Sequence, residues 1–113
     1  MASDKKRREP QEVAPVEAGG LRYEAPLAGV PYGYAQDGGI LIARDAVSGA
    51  LVWSQRLYVV AYDGSIEDDK QEVYITSLTL SGDGRALLVI NERGEHLRVG
   101  LVDRAVERLE SPA

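Results

Sequence analysis

From Gly39 onward the chain alternates between apolar runs and short polar breaks. Ile40–Asp45 is a brief apolar run, and Val47-Ser48-Gly49 closes it with a turn. Leu51–Tyr62 is long and rich in Val, Tyr and Trp, residue types that fit a pleated, half-buried surface. Asp63–Gln71 is polar and acidic and reads as a loop. Glu72–Leu80 returns to strand-like composition. Ser81-Gly82-Asp83-Gly84 is the clearest turn in the chain, because Gly takes positive φ cheaply and Asp-Gly is a strong hairpin signal. Arg85–Asn91 and Glu95–Asp103 follow as two more apolar runs, separated by Glu92-Arg93-Gly94. Over Asp103–Glu110, Val106 and Leu109 stand three apart, so a helical turn competes with a last short strand.

Connections this short favour antiparallel neighbours, since parallel pairs need a long crossover. The expected fold is all-β: an antiparallel meander of five to seven strands forming a small barrel or sandwich. Leu51–Tyr62 is one-sided in its first half and apolar on both parities in its second, as a strand bending between two layers would be. Residues 1–20 carry charges, Pro10, Pro15 and Gly19-Gly20 with few apolar anchors, so a disordered tail is expected there. Residues 21–110 then form a single β domain. Leu21–Glu24 predicts a short strand. Pro26, Gly29, Pro31 and Gly33 forbid a helix after it and leave an irregular stretch that covers one face of a sheet.

Two segments resemble a known repeat. Ala43-Arg44-Asp45-Ala46-Val47-Ser48-Gly49-Ala50-Leu51-Val52-Trp53 is similar to the tryptophan-docking repeat of quinoprotein-type β-propellers. Leu78–Val89, with Ser81-Gly82-Asp83-Gly84 inside it, resembles a blade hairpin of the same family. The resemblance implies that Asp45 accepts hydrogen bonds from the turn backbone, that Gly49 takes a left-handed conformation, and that the Trp53 indole packs on a neighbouring sheet. A blade needs ~40–50 residues and a ring at least about four blades, so 113 residues make about two. No closed propeller and no quinone chemistry are therefore carried over.

Composition narrows the chemistry. The 113 residues include no Cys and a single His, which excludes a disulfide framework, a thiolate metal site and a multi-histidine site. No apolar run approaches the ~18–20 residues that span a bilayer, and no membrane role is expected. The net charge is −5. Setting apart Asp4 and the basic run Lys5–Arg8 turns 18 acidic and 13 basic residues into 17 and 9, so the remainder carries −8. That field disfavours nucleic acid. The start lacks the apolar stretch of a signal peptide, and a cytoplasmic location is expected.

No phosphate-binding glycine loop and no nucleophile elbow occurs. His96 is the sole imidazole, and neither Ser77 nor Ser81 with Asp83 is selected by spacing as its triad partner. Asp63, Ser65, Glu67 and Asp69 alternate oxygen ligands as hard cations prefer, but without the EF-hand order. Tyr32, Tyr34, Tyr58 and Tyr62 combine apolar area with a hydrogen-bonding tip and are the candidate ligand- or partner-binding residues. No catalytic residues and no cofactor are expected. The expected function is a non-enzymatic binding or assembly module that recognises a protein partner or another copy of itself. The alternative is a small-molecule or carbohydrate-binding barrel with a Tyr-lined pocket.

Overall fold

The structure is a computed structural model that describes residues 12–60 and 72–110. Eight strands are present: β1 (Val16–Ala18), β2 (Leu21–Glu24), β3 (Ile40–Asp45), β4 (Leu51–Arg56), β5 (Ile75–Leu80), β6 (Ala86–Asn91), β7 (His96–Gly100) and β8 (Val106–Leu109). They form two four-stranded antiparallel sheets. Sheet 1 runs β1-β2-β3-β4 and sheet 2 runs β5-β6-β7-β8. Neither sheet pairs its first strand with its last, so neither is closed into a barrel.

This corrects three expectations. The described residues form eight strands, not five to seven, and of the barrel or sandwich expected the barrel is replaced by two open sheets. The cause lies in the part of Leu51–Tyr62 that is described, residues 51–60, which is not one continuous strand. β4 stops at Arg56. Beyond it, the Gln36 side chain takes over the backbone: Nε2 donates to the Tyr58 carbonyl and Oε1 accepts from the Val60 N–H. The third correction concerns the tail. Within residues 1–20, Val16–Ala18 form a strand and residues 1–11 lie outside the described residues. Gly19 and Gly20, at φ 60° and 84°, make a two-residue hairpin that folds β1 back on β2, and Val16 and Ala18 reach the apolar core. At the other end the strand prevails over the helical turn, as β8.

Leu21–Glu24 is a strand as expected, and the irregular stretch does cover a sheet face. Residues 25–39 contain one 3₁₀ turn (Val30–Tyr32) and lie against sheet 1 on the side of Ile40 and Ile42, both 0% exposed. The Tyr32 hydroxyl accepts from Arg44 Nη2 at 3.0 Å, and the Tyr34 hydroxyl pairs with Ser54 Oγ at 3.0 Å. Gly29 sits so close to Gln36 and Ile40 that a Cβ would collide with the Gln36 carbonyl.

The β3–β4 and β7–β8 turns of the two sheets match hydrogen bond by hydrogen bond. In the β3–β4 turn, Asp45 N–H donates to Ala50 O (2.8 Å) and Gly49 N–H to Asp45 O (2.9 Å). In the β7–β8 turn, Gly100 N–H donates to Ala105 O (3.0 Å) and Arg104 N–H to Gly100 O (3.0 Å). Gly49 (φ 80°) and Arg104 (φ 59°) occupy the same left-handed position. Ser48 Oγ and Asp103 Oδ1 each accept from the N–H two residues on. Ala46 N–H donates to Gly20 O and Leu101 N–H to Arg85 O, both at 3.0 Å. This aligns the registers: Leu21 faces Asp45 as Ala86 faces Gly100, and Tyr23 faces Ala43 as Leu88 faces Arg98.

The alignment defines a front and a back for each sheet. The front of sheet 1 carries the row Val16–Tyr23–Ala43–Trp53. The back of sheet 2 carries Leu80–Leu87–Val99–Val106 and Leu78–Val89–Leu97–Arg108. The main apolar cluster takes Tyr23, Leu41 and Ala43 from that front and Leu78, Leu87, Val89, Leu97 and Val99 from that back. The sheets therefore stack head to tail, front of sheet 1 on back of sheet 2. Gln55 Nε2 donates to Arg104 O at 2.9 Å across the junction. Each fully buried aliphatic side chain here contributes ~1.5–3 kcal/mol.

Candidate functional site

Head-to-tail stacking leaves one sheet face uncovered by any described residue: the front of sheet 2. Its two rows are Thr79–Leu88–Arg98–Glu107 and Ser77–Ile90–His96–Leu109. Leu88, Ile90 and Leu109 are half-buried, and Thr79 and Glu107 are exposed. The same register positions in sheet 1 hold the Val16–Tyr23–Ala43–Trp53 row, which is packed. The polar substitutions Thr79, Arg98 and Glu107 are what a face in water requires, while Leu88 and Ile90 keep its centre apolar. At the turn end of this face, Arg98, Leu101 and the exposed Val102 side chain (98% exposed) border an open hollow of about 580 Å³. An apolar centre with a polar rim is the anatomy of a protein-binding surface.

The strand edges are less inviting. The outermost strands β1 and β8 have three and four residues. Bulges between Ala43 and Arg44 and between Ile75 and Ser77 disturb the ladders beside β4 and β5. Short and bulged edges resist the addition of another strand.

His96 lies on the front of sheet 2 in the row of Ser77, but Ile90 stands between them. Two strand spacings put these groups about 10 Å apart, too far for a proton to pass directly. Ser81 and Asp83 are in the β5–β6 turn. Asp83 Oδ1 is held by the Ser81 hydroxyl and accepts from Arg85 N–H at 3.0 Å. These bonds, the Ser81 hydroxyl first, hold the Asp83 carboxyl below the ordinary carboxylate value. Asp45 behaves alike: Oδ1 accepts from Ser48 N–H (2.8 Å) and Val47 N–H (2.9 Å), and these bonds lower its pKa. Both carboxylates serve turns, and the hydrogen bonding and the Gly49 conformation expected from the Asp45–Trp53 pattern are present.

The tyrosines do not share one surface. Tyr32 and Tyr34 belong to the covering segment on the back of sheet 1, with their hydroxyls on Arg44 and Ser54. Tyr32 also borders a cavity of about 430 Å³ beside Arg22, Glu24 and Pro31. Tyr58 points elsewhere, donating its hydroxyl to Val73 O at 2.6 Å, and burial pushes its pKa up. Tyr62 and the acidic residues Asp63, Ser65, Glu67 and Asp69 lie outside the described residues. Among the described residues no group of His, Asp or Glu is placed to hold a metal ion, and no helix is long and apolar enough to cross a membrane.

A buried polar knot escaped the sequence reading. Among the described residues, Gln36, Glu72 and Asn91 are the buried polar side chains. Glu72 Oε1 accepts from Gly38 N–H at 2.8 Å and Oε2 from Asp37 N–H at 3.1 Å. Asn91 Oδ1 accepts from Arg93 and Glu95 N–H, and its Nδ2 donates to Glu95 Oε1. Gln36 ties the start of β3 to the end of β4, and Glu72 ties it to the entry of β5. The knot satisfies the backbone where the chain passes between sheets, so its role is to fix their relative position. Nothing in its local sequence distinguishes these three residues from surface ones.

No protein-family model matches the chain, and no curated protein matches it.

Proposed function

We propose that this chain is a non-enzymatic assembly module that docks a protein partner on the front of sheet 2. One observation carries the reading: two equivalent sheets stack head to tail, and the second presents the face that the first has buried. Stacked repeats of this kind cover each unit's apolar face with the next unit, and the last needs a cap or a partner. The half-buried Leu88, Ile90 and Leu109 support a partner with an apolar centre of its own. We also propose that sheets 1 and 2 are two blade-like repeats of the β-propeller type. Support for this comes from the repeated turn geometry at Gly49 and Arg104 and from the Trp53 indole packed at the junction.

A photo-reactive residue at Thr79, exposed on the front, tests the docking reading in the cells that make the protein. Covalent attachment to a polypeptide is expected from Thr79 and not from Arg56, which is exposed on the back of sheet 1. Attachment from neither position, or equally from both, contradicts the reading.

A further inference from the structure

We infer that the occupant of the front of sheet 2 is the back of a third antiparallel β-sheet, carried by a different polypeptide, with a lysine or arginine at the tip of one of its turns. This rests on reading that front as a docking surface and names the chemistry of the partner.

The stack already shows what such a front accepts. The front of sheet 1 is covered by the back of sheet 2, whose Leu87, Val89 and Val99 join Tyr23 and Ala43 in one apolar cluster. Leu88 stands in sheet 2 where Tyr23 stands in sheet 1, and Ile90 lies two residues further along the same face. A front that continues this interface takes the same kind of cover: aliphatic rows of a sheet packed about 10 Å away.

A second copy of this chain cannot supply that cover. The back of sheet 2 is buried in its own core. The back of sheet 1 lies under residues 25–39, which leave Ile40 and Ile42 at 0% exposure and tie Tyr32 to Arg44 and Tyr34 to Ser54. A head-to-tail contact that this chain cannot repeat with itself requires another chain.

The polar positions set the charge of that chain. In the existing junction the turn cation of sheet 2, Arg104, lies over the Trp53 ring of sheet 1. Ala43 pairs with Trp53 as Arg98 pairs with Glu107, so Glu107 stands where Trp53 stands. A ring face and a carboxylate both attract a cation. Arg98, directly across from Glu107, ion-pairs instead with Asp83 in the β5–β6 turn at 3.7 Å. The exposed Glu107 carboxylate is thereby open to the turn cation of an incoming sheet. One contact is not repeated: Leu109 holds the place of Gln55, which donates to the Arg104 carbonyl, so that point of the new junction is apolar.

The test is the Thr79 cross-link in the full 113-residue chain, with E107K and E107W as separate variants and far-UV circular dichroism as the check of folding. Glu107 is exposed, so neither substitution opens the core. The attachment point in the partner, mapped by tandem mass spectrometry, is expected in a strand with apolar residues at alternate positions. E107K sets like charges against each other and lowers the yield at least about tenfold. E107W restores the arrangement of sheet 1 and keeps the yield within about threefold of wild type. Attachment outside a strand overturns the inference, as does a product of twice the 12.3 kDa chain mass. So does a yield indifferent to E107K, or one that E107W lowers as far as E107K does. Each of these results leaves the docking reading standing, because Thr79 still attaches to a polypeptide. Absence of any product removes both.

Discussion

The Arg104 guanidinium lies 5.1 Å from the centre of the Trp53 ring, so the left-handed residue of the β7–β8 turn covers the indole of β4 across the sheet junction. Arg104 holds φ 59°, a conformation that costs a non-glycine residue roughly 1–2 kcal/mol. Gly49 fills the equivalent place in sheet 1 without that cost. The ring contact, about 0.5–1 kcal/mol at a half-exposed site, is what Arg104 offers in return. Arg104→Ala therefore loses the contact and keeps the backbone cost, while Arg104→Gly loses both. Urea unfolding is expected to rank Arg104→Gly about 1 kcal/mol more stable than Arg104→Ala. Trp53 is the chain's single tryptophan, so its emission should change in both variants.

Gly38 and Gly82 separate a required glycine from a tolerant one. A Cβ on Gly38 would stand inside contact distance of the Val73 carbonyl and carbon, both backbone atoms that cannot swing away. A Cβ on Gly82 meets nothing within 4 Å, and its φ is not positive. Gly38→Ala should cost about 2–4 kcal/mol, and Gly82→Ala should stay within about 0.5 kcal/mol of wild type. Thermal and urea unfolding of the pair check this.

Glu72 faces two backbone donors with two carboxylate oxygens, at 6% exposure. Glu72→Gln keeps the shape but turns an NH₂ toward one of those N–H groups. The loss is expected to be about 1.5–3 kcal/mol in unfolding free energy. Amide exchange should accelerate at Asp37 and Gly38 before it does in β6.

Asp45 and Asp83 have folded-state pKa values below the ordinary 3.8 because their charged forms accept turn hydrogen bonds. Their contribution is thus complete above the ordinary carboxylate value and is lost as pH falls through the lowered one. The urea midpoint should fall as pH drops below about 4. In the double variant D45N/D83N, whose amide oxygens still accept from the turns but do not titrate, that fall should be shallower. An identical fall in both proteins would remove these carboxylates from the acid response.

Local devices were legible in the sequence where one residue type is forced by backbone geometry. Gly49 after Asp45, and Ser81-Gly82-Asp83-Gly84, name their turns, and Pro26 to Gly33 exclude a helix from the covering segment. What was not legible depends on stacking. Ala86–Asn91 is apolar on both parities, and only the position of sheet 1 decides that Leu87 and Val89 are core while Leu88 and Ile90 face outward. β1 was missed because three residues beside Gly19-Gly20 become a strand only when β2 offers a ladder. The internal repeat is masked by Arg104 standing where sheet 1 has Gly49, Asp103 where it has Ser48, and by the long 25–39 connection against the short turn before β7. Gln36, Glu72 and Asn91 are common surface residue types, and their burial is a consequence of four chain segments meeting.

The arrangement is tested most directly within one strand, by hydroxyl-radical footprinting of β6 read at single residues by mass spectrometry. Head-to-tail stacking with an open front predicts that Leu88 and Ile90 are labelled while Leu87 and Val89 are protected. Equal labelling of the two pairs, or labelling of Leu87 and Val89 with Leu88 and Ile90 protected, would contradict it.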